Sequence, residues 1–422
     1  MKRAPMLLGL AAAAVAGLAT AAEGPMPTGI PRLDHVFIIM MENHGYPQVI
    51  GNPNMPFLNQ YAKQANLATN YFAVAHPSLT NYLEVTGGSN FGVLDDNSPN
   101  WHSATPCQSN LITGVTSSES VSAPICPIAG VGTDAATPAI DCSNETTGNP
   151  SQPTTCDYNI DGVKSIPAAH NIVGATIADQ LVARGQSWKS YQEDLPASGA
   201  DGVNTADGLW SNLSNLTPVT VTGVIVPSIV GLYAAKHDPF VYFNSVQAGY
   251  NPNNSLNNVV PFDTDHGLYV DLATGHLPTY SFIAPNQCND QHGRSNAGPF
   301  CLYDPNDQGT QAGLNPALMA QGDTELQNLV TAIHNSPVWQ FGRSAIIVLW
   351  DENDYSVGIV NQVAAIVDTN YGSGGHASSN YYNHFSLLKS IEAGLGLPCL
   401  NHACDPGVAV MSDLFAGKPD HR

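Results

Sequence analysis

Positive charge is the scarcest commodity in this sequence. Lys and Arg number 13 against 34 Asp and Glu, a net charge of −21, and charged residues of both signs make up only 11%. A chain this acidic repels a polyphosphate backbone and an anionic membrane surface, which argues against a nucleic-acid partner. An anionic substrate would need a local offset to that field, from a metal ion or a helix N-terminus. Beyond the N-terminal segment no apolar run reaches spanning length, so no stable membrane insertion is expected. There is no G-x-S-x-G, which disfavours an α/β-hydrolase serine esterase. There is no H-E-x-x-H, which disfavours a zincin protease. No cysteine pair has C-x-x-C spacing, so zinc-ribbon and thioredoxin-like readings are weak. No internal repeat is visible.

What is present points to export. Lys2 and Arg3, an apolar run over Met6 to Leu18, and Ala19-Thr20-Ala21 have the layout of a secretory signal. Residues 1–21 are read as that signal and 22–422 as a single large domain, periplasmic or secreted. The 43% hydrophobic content supports a sizeable core. Eight cysteines in an exported protein read as disulfides. Cys288–Cys301 and Cys399–Cys404 are the local closures. Cys107, Cys126, Cys142 and Cys156 then staple a Ser/Thr/Pro/Gly-rich insertion or cap region over about 95–165.

Two stretches organise the rest. Asp34-His-Val-Phe-Ile-Ile-Met-Met runs apolar into Glu42-Asn43-His44. Ser344-Ala-Ile-Ile-Val-Leu-Trp350 runs apolar into Asp351-Glu352. Short β-branched runs of this kind suit strands buried on both faces of a parallel sheet. Ligands bind at the carboxyl ends of such strands. Thr69–Ala75, Ser187–Tyr191, Leu277–Pro285 and Val360–Val367 read as further strands, with the type of Val219–Val230 left open. Asn54–Lys63, Asn171–Gly185, Asp323–Asn335 and Asn383–Glu392 read as helices, the last ended by Gly394. The alternation predicts an α/β fold: a mainly parallel central sheet with helices on both faces.

Polar clusters gather at these ends: Glu42-Asn43, His76-Pro77-Ser78, Asp290-x-His292 and Asp351-Glu352. Pro77 favours the first helical position, which puts Ser78 in the first turn, among unpaired backbone N–H groups. A serine there is a cap or, equally placed, a hydroxyl for phosphoryl chemistry. Hard oxygens, a hydroxyl and imidazoles suit metal-assisted cleavage of a phosphate ester. A carboxylate-pair glycosidase would leave Ser78 and the histidines unexplained. Three more histidines have two readings each. His44 adjoins the acid pair or faces solvent, His76 orients Ser78 or only packs, and His384 joins the site or merely starts a helix.

Taken in order, Met-Glu42-Asn43-His44, Ala-His76-Pro-Ser78-Leu-Thr-Asn81-Tyr82-Leu, Lys-His237-Asp-Pro-Phe-Val-Tyr-Phe, Pro-Asn-x-Cys-Asn289-Asp290-x-His292, Trp-Asp351-Glu352 and Asn-His384-Phe-Ser-Leu-Leu-Lys-Ser-Ile-Glu resemble the secreted phosphoesterase family. That family holds bacterial acid phosphatases and phospholipases C related to the alkaline phosphatase superfamily. The resemblance runs from about 34 to 398 and implies an alkaline-phosphatase-like core with one divalent metal ion of unknown identity. It implies that Glu42, Asn43, Asp351 and Glu352 hold the metal. Ser78 would bind it and attack phosphorus, with His237, Asp290 and His292 around the phosphate. Asn353-Asp354-Tyr departs from the glycine that smaller relatives often carry after the Asp-Glu pair. The substrate implied is a small phosphate monoester, with a phospholipid head group and phospholipase C chemistry as the rival. A non-catalytic metal-containing binding protein is the rival of another class.

Overall fold

A computed structural model describes residues 23–91, 174–195, 232–247, 249–294, 309–354 and 361–415, with a few positions between these segments. The expected signal, the 95–165 insertion and its four cysteines lie outside the described residues.

One 8-stranded sheet forms the core. From edge to edge its strands are Ala377–Ser378, Asn66–Ala68, Ala365–Thr369, Ser344–Trp350, His35–Met41, Tyr280–Ala284, Trp188–Gln192 and Val259–Pro261. From Ser344–Trp350 to Val259–Pro261 every pairing is parallel. Ala365–Thr369 runs antiparallel to both its neighbours. The sheet is therefore mixed but mainly parallel, and the α/β class read from the sequence holds. The antiparallel strand has a simple cause. A parallel return needs a long crossover, usually helical, and among the described residues no helix lies between Trp350 and Ala365.

His35–Met41 sits near the middle of the sheet, and Val36 to Met41 are all 0% exposed. A strand covered on both faces has no polar side to show, which is why its sequence does not alternate. Ser344–Trp350 is buried along its whole length for the same reason. Parallel pairing brings Met41 opposite Trp350 and Ile39 opposite Ile283. All three strands thus end on one edge.

Helices Pro56–Gln64 and Pro316–Asn335 pack together, and Ser78–Gly87 packs on His384–Leu395. Several boundaries differ from the sequence reading. Thr69–Ala75 is not one strand: Asn66–Ala68 joins the main sheet and Tyr71–Phe72 pairs apart with Tyr382–Asn383. Past Phe72, side-chain amides replace ladder partners: Asn81 accepts from the Val74 and Ala75 N–H, and Asn361 donates to the Ala75 carbonyl. Pro77 is the N-cap rather than the first helical residue, and Ser78 opens the helix. Ile177–Ala183 starts only after the Thr176 cap. Pro316–Asn335 starts well before Asp323, capped by Asn315. Gly394 lies inside the last helix, where a Cβ would meet Leu33 at 2.6 Å; Gly396, at φ 69°, ends it. Both local disulfides, Cys288–Cys301 and Cys399–Cys404, are formed.

Candidate active site

The three strand tips are laced together by their backbones. Asp351 N donates to the Met41 carbonyl at 3.0 Å, and Glu42 N donates to the Asp290 carbonyl at 2.8 Å. Asn43 has φ 56°, a left-handed turn that asparagine tolerates better than most residues. That turn lets Asn43 N donate to Asp351 Oδ1 at 2.9 Å. Glu42, Asp290, Asp351 and Glu352 are each at most 3% exposed.

Ser78 enters on its own helix. No side chain caps that helix start. Ser78 Oγ lies 3.0 Å from Glu42 Oε2 and 3.2 Å from Glu352 Oε1, so its single proton has two buried acceptors. Glu352 is steadied from behind, with His76 Nδ1 2.9 Å from its Oε2 and Asn81 Nδ2 donating to the same oxygen at 3.2 Å.

His237 is wedged between acids. Its Nε2 is 3.1 Å from Glu42 Oε1 and its Nδ1 is 3.1 Å from Asp290 Oδ2. These contacts are close, yet the angles are wrong for hydrogen bonds, so Glu42 Oε1, Asp290 Oδ2 and His237 Nε2 count as unbonded. The ring stacks on Tyr82 with centroids 5.3 Å apart. His292 N donates to Asp290 Oδ1 at 2.7 Å. Its Nδ1 sits 2.9 Å from the Gly293 carbonyl and so carries the proton, which leaves Nε2 as an acceptor facing Lys236 Nζ at 3.3 Å. Ligand atoms of Glu42, His237 and His292 all lie within 4.8 Å of one another.

Burial raises the carboxyls of Glu42, Asp290 and Asp351 well above the usual range, and neighbouring acids raise them further: Asp351 acts on Glu42, Glu42 on Asp290, and Glu352 on Asp351. Burial, then Lys236 and His292, push His237 well below its ordinary value. Packing acids this way is costly unless a cation shares the space. Asp351 Oδ2, like Glu42 Oε1 and Asp290 Oδ2, is buried without a hydrogen bond. Such buried, unbonded hard oxygens fit a divalent ion.

The remaining histidines prop up the tips. His384 is buried and its pKa is lowered to about 4 by that burial; Nε2 bonds the Asp351 carbonyl at 2.7 Å and Nδ1 bonds Tyr71 OH at 3.0 Å. His44 does not face solvent: Nδ1 bonds the Glu42 carbonyl at 3.0 Å and Nε2 bonds Asp304 at 2.7 Å. The structure therefore brings Glu42, Ser78, His237, Asp290 and Glu352 into contact through the distances above, with Asp351 held to Asn43, and with His292 adjoining. Sequence reasoning passed over Lys236, Tyr82 and Asn81 as site residues. Asn81 was findable, since it lies one helical turn from Ser78 on the same face. Lys236 gave no periodic signal beyond preceding His237.

By family this chain is a hydrolase of phosphoric esters. The chain belongs to the Phosphoesterase family, whose model matches residues 52–299, more than half its length. It is 24% identical over 385 residues to a phosphatidylinositol-3-phosphatase of Mycobacterium tuberculosis, covering 90% of this chain and 83% of that one. It is 24% identical over 370 residues to an acid phosphatase of Aspergillus fumigatus, covering 86% of this chain but only 55% of that protein. A Vibrio parahaemolyticus structure described as in the alkaline phosphatase superfamily shares 13% identity at a TM-score of 0.43, over 91% of this chain and 71% of that one. Among the described residues no helix is long and apolar enough to cross a membrane.

Proposed function

We propose that this chain is an exported, metal-dependent acid phosphatase that hydrolyses small phosphate monoesters through a phosphoserine. The observation that carries the reading is Ser78 Oγ, held within hydrogen-bonding distance of both Glu42 and Glu352 at an uncapped helix start. Glu42, Asn43, Asp351 and Glu352 would hold one divalent ion together with Ser78. When bound, such an ion polarises phosphoryl oxygens and lowers the pKa of a coordinated hydroxyl.

Ser78 Oγ attacks phosphorus and gives its proton to one of the two carboxylates already accepting it. The P–O bond to the leaving alcohol breaks. The leaving oxygen takes a proton from the His237–Asp290 pair, whose facing atoms are 3.1 Å apart. His292 stands beside them, its ring centroid 5.6 Å from that of His237. Water then attacks the phosphoserine and gives a proton to the His237–Asp290 pair, the P–Oγ bond breaks as Ser78 Oγ takes back the proton held by the carboxylate, and inorganic phosphate leaves. One displacement becomes two easier ones.

Ser78→Ala tests this. It should cut turnover of p-nitrophenyl phosphate by about 1000-fold or more, as loss of a covalent nucleophile does. Unchanged turnover sinks the nucleophile. Wild type that cleaves no phosphate ester with any divalent ion favours a binding module instead.

A further inference from the structure

We propose that Lys236 meets a terminal phosphoryl oxygen of the substrate and so selects phosphate monoesters over diesters, a proposal that rests on the Ser78 site acting on phosphate esters. The difficulty it resolves is electrostatic. A monoester is a dianion near neutral pH, and this chain carries −21 with only 13 basic residues. The site itself adds four buried acids. One divalent ion leaves that balance negative.

Among the described residues, Lys236 is the lysine whose charge reaches these acids. Its ammonium pulls down the carboxyls of Glu42, Asp290 and Asp351 alike. It stands in the short turn Ala235–His237, directly before the histidine wedged against Glu42 and Asp290. That turn is fixed on both sides: Asp238 N donates to the Ala235 carbonyl at 2.9 Å, and Gln192 Nε2 donates to the His237 carbonyl at 3.3 Å. The side chain is aimed by His292, whose Nε2 lies 3.3 Å from Nζ while its Nδ1 is committed to Gly293. An ammonium has three donors, so one lysine serves both His292 and a phosphoryl oxygen.

The chemistry of the ester then decides. A monoester presents three non-bridging oxygens and two charges. A diester replaces one of those oxygens with an uncharged alkoxy group and loses one charge. A cation fixed beside the metal-binding acids therefore favours the monoester.

The experiment compares kcat/KM for p-nitrophenyl phosphate and bis(p-nitrophenyl) phosphate in metal-loaded wild type, Lys236→Met and Lys236→Arg. Lys236→Met should lose about 100-fold on the monoester, the size seen when one donor to a transition-state oxygen is removed, and under about threefold on the diester. Lys236→Arg should recover part of the monoester rate, since it keeps the charge. Equal losses on both esters, or no loss on the monoester, overturn the proposal. No turnover of either ester by wild type instead overturns the site reading, and this with it. Should Lys236→Met fail to fold, inhibition of wild type decides. Inorganic phosphate should bind at least about 10-fold tighter than dimethyl phosphate, a gap of one charge contact, and equal inhibition overturns the proposal.

Discussion

Asp238 shows what a single buried carboxyl does behind this site. It is 0% exposed, and burial pushes it from 3.8 up to about 7 against hydrogen bonds from Ser190 Oγ and Tyr233 OH. The folded state therefore holds its proton more tightly than the unfolded chain does. Its contribution is fully present below the unfolded value and is lost as pH rises through about 7. Asp238→Asn cannot ionise, so it should flatten the fall in stability between pH 5 and 8, by on the order of 2–4 kcal/mol at most. Parallel slopes for variant and wild type in urea titrations would contradict this. Asn81 belongs to the same scale. Its amide accepts from two backbone N–H groups and donates to Ala75 and Glu352. Asn81→Ala strands those groups and should cost about 1–3 kcal/mol. It should also slow turnover, because Glu352 then loses one of the groups that hold it against Ser78. Undiminished kcat with a lowered Tm would make Asn81 purely structural.

At the scale of elements, one glycine ties the long helix to the site. A Cβ on Gly322 would strike the side chain of Gln291. Gln291 is buried at φ 80° between Asp290 and His292, accepts from Trp350 Nε1 at 3.1 Å, and donates to the Met319 carbonyl at 3.1 Å. Bonded at both ends, it has little room to yield. Gly322→Ala gains up to about 1 kcal/mol of helix propensity but should lose about 1–3 kcal/mol to overpacking. The net expectation is a lower Tm with reduced kcat, and a raised Tm with normal kcat would refute it. Elements also show how far the sequence could be read. His35–Met41 and Ser344–Trp350 were legible because burial on both faces writes itself as unbroken apolar runs, and their polar tips marked the shared edge. The Thr69–Ala75 run looked like a strand for the same reason, yet only Tyr71–Phe72 pairs as one, and the hydrogen bonds at Val74 and Ala75 come from the amides of Asn81 and Asn361, which no local pattern announces. The supporting histidines were equally hidden. His384 bonds Asp351 across 33 positions and Tyr71 across 313. Lys236 sits in a turn too short to have a face.

The whole molecule sets charge against metal. Glu42, Asp290 and Asp351 all have carboxyls raised by burial first and by a neighbouring acid second. The metal-free fold thus binds more protons than the unfolded chain. Stability from these groups is present below the usual carboxylate range and is lost as pH rises through their raised values. A chain of net charge −21 has few cations to spare for them. A divalent ion would remove the penalty by replacing protons with fixed charge, and would stabilise the fold to the extent that it binds the folded state alone. At one hundred times its dissociation constant it adds about 2.7 kcal/mol. Between pH 5 and 8, metal-stripped protein should therefore lose Tm more steeply than metal-loaded protein, which keeps only the fall that Asp238 causes as pH rises through about 7. The gap between the two curves should widen with pH, since ion and proton compete for the same oxygens. The measurement needs no substrate, so it tests the metal cradle apart from the chemistry of Ser78. Curves that stay superimposed across that range, with each of several divalent ions in turn, would mean that these carboxylates are neutralised by protons alone.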